Sequence, residues 1–566
     1  MSLGALACAA MGEPGKLTRR AVLRGAAAAG AASLAGPLPA AAAAASSGLD
    51  SRRVGRLRGT SAPIRAPRRF ALAAVQWSAP ASARIELRAM APDGRWTPWV
   101  SAVAAGHDPD GGARVRGHFG EPLWTGQAVA VQLRAGGTVE GVRVHFVSPG
   151  PGGPAGAAAA QALALAQPVL DAGPGQPPII ARRCWAEGQA PPGPFSGFGS
   201  VKLAFVHHTV NPNGYSPGEV PALLRGIFDY HRYVRGYFDI AYNFLIDAYG
   251  RIWEGRAGGI DMPVIGAQAG GYNMESTGVA MLGDFMAVVP PAPAMRALEQ
   301  LVAWKLSLHG VPAHGRVTVV VDPASAFYTP FPPGAHVSLP RIAGHRDGDL
   351  TDCPGDALYH RLGAVRRRAI ALAGVPASLT ATPPALPVSA GAPATVGGRL
   401  ALLSGAPLAG APIEVQRFRS RAAGTITLAT VTSGADGTWS QQLTLERNTL
   451  VRALHAPAPA AVSDWLLVTV APILTLSVQS TAPLVLSGTV TPGKPHVRVE
   501  LYRAPAGPAS GPPRGRPFAH RRVPVSGGQF TARFDPPPGD YVVVARTPPD
   551  PVNAAGSSAP LAVTVA

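Results

Sequence analysis

Residues 149–176 are almost entirely Pro, Gly, Ala and Gln, which favours a spacer with at most one helical stretch near 155–166 over any packed core. A chain interrupted in this way cannot share one core along its length. At 566 residues it has material for several domains, and 67 Gly with 60 Pro, lacking a triplet period, exclude collagen and imply many turns. Upstream, short alternating runs such as Arg84-Ile85-Glu86-Leu87-Arg88 and Gly141-Val142-Arg143-Val144-His145-Phe146 predict a small all-β domain over 69–148, a β-sandwich. Residues 46–68, rich in Arg, Ser and Pro, are expected to be linker.

Downstream of the spacer, residues 177–373 mix strand patterns (202–207, 240–247, 278–282) with helical ones (222–235, 294–309, 357–373), an α/β arrangement. Beyond it the chain repeats itself. Val396-Gly397-Gly398, Ile413-Glu414-Val415-Gln416-Arg417 and Val451-Arg452-Ala453 return as Leu486-Ser487-Gly488, Val499-Glu500-Leu501-Tyr502-Arg503 and Val544-Ala545-Arg546. A period of roughly 90 residues is that of an immunoglobulin-like β-sandwich, which predicts two, over 374–470 and 471–566.

The first 45 residues have the form of a twin-arginine signal peptide: Arg19-Arg20 precede an Ala-rich, weakly apolar stretch interrupted by Gly and Pro. No later stretch is apolar for long enough to span a bilayer, so the mature chain is expected to be secreted or wall-associated and without a transmembrane segment. A net charge of +18 suits anionic partners such as wall polymers. Its arginines are scattered rather than clustered, which argues against nucleic acid. Trp77, Trp96, Trp99 and Trp124 either fill the β core or form a sugar-stacking face. Once the leader is removed with Cys8, Cys184 and Cys353 remain; Cys184 is expected to be a buried free thiol, a disulfide between the two being the alternative.

The residues able to carry chemistry lie in the α/β block. A strand pattern runs into His207-His208-Thr209, and far downstream come Gly344-His345-Arg346-Asp347 and Thr351-Asp352-Cys353-Pro354-Gly355. Two imidazoles and one thiolate make three good zinc ligands with a fourth position left to water, the pattern of a catalytic rather than a structural site. No CxxC pair is present.

With FVHHT at 205–209, DIAYNFLID at 239–247, GRIWEGR at 250–256, GYN at 271–273, TGVAMLGDF at 277–285 and GHRDGDLTDCPG at 344–355, the block resembles the zinc amidase domain. This domain is shared by peptidoglycan recognition proteins and phage lysozyme-type N-acetylmuramoyl-L-alanine amidases. The preceding β domain and leader are similar to the arrangement in secreted actinobacterial amidases.

The resemblance implies one Zn²⁺ per chain on His207, His345 and Cys353. It implies Tyr242 and Thr351 as catalytic residues that steady the oxyanion, the alternative for Tyr242 being to orient the zinc-bound water. Muropeptide would be contacted by His208, Thr209, His231, Arg256, Gln268, Asn273 and Arg346, the alternatives being structural hydrogen bonds for His208 and His231 and internal salt bridges for Arg256 and Arg346. Gln268 stands where many members carry His, so any acid-base role there is lost. The expected activity is cleavage of the amide between N-acetylmuramic acid and L-alanine by a monomer, the alternative being a non-catalytic peptidoglycan-binding protein that uses the same cleft.

Overall fold

A computed structural model describes residues 48–80, 82–102, 110, 117–148, 175–188, 190–420, 424–504 and 515–566. The expected signal peptide, Cys8 and the helical stretch expected near 155–166 lie outside the described residues. The chain divides into two compact units, Met1–Pro376 with Ala456–Ala460 and Ala377–His455 with Ala461–Ala566.

The first unit opens with strands β1 (Leu49–Thr60), β2 (Ile64–Trp77), β3 (Ile85–Met90), β4 (Val100–Ser101), β5 (His118–Phe119) and β6 (Leu123–Val147). They form one sheet in the order β4-β3-β6-β2-β5, with β1 also paired to β6. Leu72 lies opposite both Trp124 and Val147, so the 25-residue β6 curls back and wraps the sheet around Phe70, Val75, Trp77, Leu133 and Phe146. The linker expected at 46–68 is therefore corrected, since most of it is strand. β1 is a solvent-facing edge whose Arg52, Arg53 and Arg56 are exposed, which gives a paired strand the composition of a linker. Trp77 and Trp124 are buried, whereas half-buried Trp96 and Trp99 bracket the Arg88 guanidinium at 4.7 and 4.6 Å.

The α/β part adds β7 (Ile179–Ile180), β8 (Leu203–His208), β9 (Phe244–Ile246), β10 (Ile252–Glu254), β11 (Ser276–Met281), the hairpin β12 (Arg316–Val320) with β13 (His336–Pro340), and β14 (Ile342–Gly344). The main sheet runs β14-β8-β11-β9-β10-β7, and β8 is parallel to both its neighbours. A strand paired on both sides and covered on both faces is buried throughout, and Leu-Ala-Phe-Val-His-His is buried at every position. Helices at Val220–Asp229, Ala292–Leu308 and Leu362–Ala373 accompany the sheet. The first has Pro221 in its opening turn and buries Val220, Leu223, Leu224, Ile227 and Phe228 along one stripe, then widens into a π turn over Tyr230–Val234. That stripe shares a core with Leu72, Ala74, Trp124 and Val147, so the β domain and the α/β domain pack as one body. No helix among the described residues is long and apolar enough to cross a membrane.

Two of the helix and strand expectations change. The helix predicted over 357–373 breaks between Tyr359 and Leu362, and the strand predicted over 240–247 shrinks to Phe244–Ile246. Residues Asp239–Asn243 form a loop because their polar groups turn inward: Asp239 accepts from Arg182 at 2.8 Å and from the Ala257 N–H at 3.0 Å.

The second unit is built of strands. Strand Pro412–Ser420 pairs with Thr449–His455, and strand His496–Arg503 pairs in the same antiparallel sense with Gly539–Thr547. One core ends at Val470 and the next begins at Leu474. A repeated glycine serves the same purpose in both: a Cβ on Gly398 would meet the Thr380 carbonyl and Trp439, and one on Gly488 the Thr475 carbonyl and Phe530.

Candidate metal centre

β8 and β14 end together. Gly344 is opposite Val206, so the next residue on each strand places His345 beside His207, with ring centroids 4.4 Å apart. After β14 the chain makes one tight turn, His345–Asp347, in which the Asp347 carboxylate accepts the Gly344 N–H at 2.9 Å. The loop then returns Cys353 to the same end of the sheet. Its Sγ lies 3.7 Å from His207 Nδ1 and accepts the His208 N–H at 3.4 Å. One ligand atom from each of His207, His345 and Cys353 falls within 4.8 Å of the others. For tetrahedral zinc, metal–nitrogen bonds of about 2.0–2.1 Å and a metal–sulfur bond of about 2.3 Å give an N···S separation of about 3.6 Å, so the residues fit the ion.

Asp349 completes this centre. Its Oδ2 lies 3.0 Å from His345 Nε2 and accepts the Gly270 N–H at 2.8 Å, which leaves His345 Nδ1 to face the ligand cluster. Thr351 Oγ1 accepts the Cys353 N–H at 3.2 Å and keeps its own proton to donate. The three ligand residues are 0%, 2% and 8% exposed. Burial pushes the Cys353 thiol far up; the His208 N–H opposes this and the negative charge of Glu121 adds to it. A thiol so placed keeps its proton unless a cation takes its place.

Tyr242 stands beside the centre, its ring 5.3 Å from that of His207 and its carbonyl held by the Arg256 N–H at 2.9 Å. Burial raises its phenol well above the ordinary range, with the charges of Glu121 and Cys353 acting in the same direction, so it remains a donor. Glu121, whose charge acts on Cys353 and Tyr242, belongs to the β domain. No pattern within the α/β block announces it.

The family model described as N-acetylmuramoyl-L-alanine amidase matches residues 197–356, which contain all three ligand residues. Peptidoglycan recognition protein 1 of Mus musculus is 30% identical over 159 residues, 28% of this chain and 72% of its own length. The chain belongs to the peptidoglycan recognition protein family. Peptidoglycan-recognition protein LB of Drosophila melanogaster is 29% identical over 167 residues, 29% of this chain, and this match spans only 60% of that protein. Among solved structures, wild-type Drosophila PGRP-LB aligns at 26% identity over 33% of this chain and 92% of its own, with a TM-score of 0.26. A second family model, described as Rv3811 N-terminal galactose-binding domain-like, matches residues 30–162.

Within this peptidoglycan recognition domain, several residues expected to contact substrate bond within the protein. Arg256 makes an internal salt bridge, the alternative to a substrate contact. Its Nη1 and Nη2 donate to Asp110 of the β domain at 2.6 and 2.7 Å, and its Nε donates to the Ile240 carbonyl at 2.9 Å. Asp110 also accepts from Ser196 at 2.7 Å and from the Phe238 N–H at 2.9 Å, which fixes the loop leading to Tyr242.

Gln268 is held inside the protein as well. It is fully buried, its Nε2 donating to Ser276 Oγ at 3.1 Å. Asn273 Oδ1 caps the backbone N–H groups of Gln268 and Ala269 at 2.8 and 3.1 Å, a structural role. Arg346 pairs with Asp356 at 2.6 Å and lies over the Tyr359 ring.

The remaining three line the interior beside the centre. His208 Nδ1 accepts the Phe285 N–H at 3.2 Å, and burial lowers its pKa to about 4, so it is neutral at pH 7. His231 Nδ1 accepts the Ala241 N–H at 3.2 Å and its ring meets Tyr242 edge-on at 5.7 Å. Thr209 is hydrogen-bonded to Asn211 and accepts the Gly283 N–H at 3.1 Å.

Cys353 is free, so no bridge to Cys184 consumes the ligand.

Proposed function

We propose that the chain is a zinc-dependent N-acetylmuramoyl-L-alanine amidase, cutting the amide between N-acetylmuramic acid and L-alanine in peptidoglycan. The observation that carries this reading is the intact His207, His345 and Cys353 cluster with Asp349 behind it, inside a domain matched by the amidase family model. Three protein ligands leave a fourth position open, as hydrolytic zinc requires.

Zinc held there supplies Lewis acidity toward the scissile carbonyl and acidifies water at neutral pH. The protein does the rest. The protonated Tyr242 hydroxyl donates to the carbonyl oxygen as it gains charge, and Thr351 Oγ1 offers a second donor from the Cys353 loop. Each such donor contributes about 2–4 kcal/mol where water is excluded. His208 is neutral and serves as a scaffold. Asp349 keeps His345 in one tautomer throughout the cycle. The twin-arginine leader exports the protein to the wall, where positive charge retains it in a salt-sensitive manner.

The test is release of new L-alanine amino termini from purified peptidoglycan. Release that stops with a chelator and returns with zinc supports the reading. Binding of peptidoglycan with no release after zinc addition contradicts it.

A further inference from the structure

Three arginines lie in one row across three neighbouring strands of the last β module. Arg498 is opposite Arg522 on strand Ala519–Pro524 and opposite Arg546 on strand Gly539–Thr547. Strands stand about 4.8 Å apart, so the row places three guanidinium groups across about 10 Å of one sheet face. Like charges directly opposite one another destabilise a sheet, so the row carries a repulsive cost.

One carboxylate on this face offsets part of the charge. Glu500, two residues along the central strand, accepts Arg498 Nε and Arg546 Nε, each at 2.9 Å. Lys494 and Asp550 form a closed pair at 2.7 Å at the rim. Arg522 has no carboxylate partner among the described residues; its Nη2 lies 3.4 Å from His496 Nδ1. The face therefore keeps a surplus of two positive charges, and it borders a cavity of about 480 Å³ lined by Lys494, His496, Arg498, Glu500, Arg522 and Arg546. That volume lies in the range of small-ligand sites.

We infer that this face is a binding site for an anionic polymer bearing phosphodiester or carboxylate groups. One such group would seat in the cavity against the arginine row. Arginine suits this task because its planar fork pairs with two oxyanion oxygens at once. Bound anion would also relieve the repulsion among the three guanidinium groups. The site is independent of the amidase centre, so it would hold the protein on a polymer whether or not the chain cuts peptidoglycan.

The test is calorimetric titration of the full chain with three probes: a glycerol-phosphate oligomer, an oligogalacturonate and a single-stranded oligonucleotide. Arg522→Glu is the main variant, because its side chain is exposed and its removal breaks no internal ion pair. Arg498→Gln is the second, and exposed Arg447→Glu is the control for net charge. The expected result is that one of the first two probes binds and identifies the anion. Its affinity should fall at least tenfold in Arg522→Glu, fall also in Arg498→Gln, and stay within twofold in Arg447→Glu. Equal loss in the control, no binding to either polymer at ~1 mM, or tighter binding to the oligonucleotide would overturn the assignment.

Discussion

Asp349 Oδ2 stands 3.0 Å from His345 Nε2, so the carboxylate holds the imidazole in the tautomer whose Nδ1 faces His207 and Cys353. Carboxylates that orient a metal-binding imidazole in this way typically contribute about 10- to 100-fold to metal affinity. Asp349→Ala is expected to weaken zinc binding by about that factor, as measured by competition with a chromogenic chelator. Unchanged affinity would show that His345 needs no such support.

Tyr242 keeps its phenolic proton and lies beside the centre without belonging to it. Tyr242→Phe is expected to lower kcat by about 10²–10³ while zinc content and KM stay near those of the wild type. A loss confined to KM would make the tyrosine a ground-state contact instead.

Arg256 and Asp110 are 1% and 3% exposed and pair in a bidentate fork. Removing one partner leaves the other charge buried, so Asp110→Ala should cost about 3–5 kcal/mol in urea unfolding. The double variant Asp110→Leu with Arg256→Met should recover much of this, since no lone charge remains. Equal instability in the single and double variants would contradict the account.

His145, inside the β domain, lies 2.9 Å from Ser51 Oγ and 3.2 Å from Gln76 Oε1. Burial, with a smaller effect from Arg143, lowers its pKa to about 4 from 6.5. The unfolded chain then binds the extra proton between these values. Its contribution is intact above pH 6.5 and lost progressively as the pH falls to about 4, on the order of 3 kcal/mol in all. His145→Gln should remove that share of the slope from stability measured between about pH 4 and 7, leaving the slope above about pH 7 unaltered. A slope unaffected by the substitution would locate the acid sensitivity elsewhere.

The candidate ligands are legible in the sequence because each sits in its own motif, and the parallel pairing of β8 with β14 brings His207 and His345 together. Asp349 is within reach of the same reasoning, as a carboxylate four residues beyond His345. Asp110 and Glu121 are not, because they come from a different domain and approach only through the shared core of Leu72, Trp124, Leu223 and Tyr230. The same long-range packing explains Arg256, whose charge suits a substrate carboxylate but whose fork holds a protein carboxylate. β1 has a linker's composition because an edge strand facing water is selected for the same polar, charged residues.

The most direct measurement is zinc stoichiometry and amine release from peptidoglycan, run in parallel on wild type and Cys353→Ser. The account requires one zinc per chain and free L-alanine amino termini from the wild type, with both lost in the variant. A wild-type chain that binds one zinc and releases nothing, or a Cys353→Ser chain that keeps full activity, would contradict it.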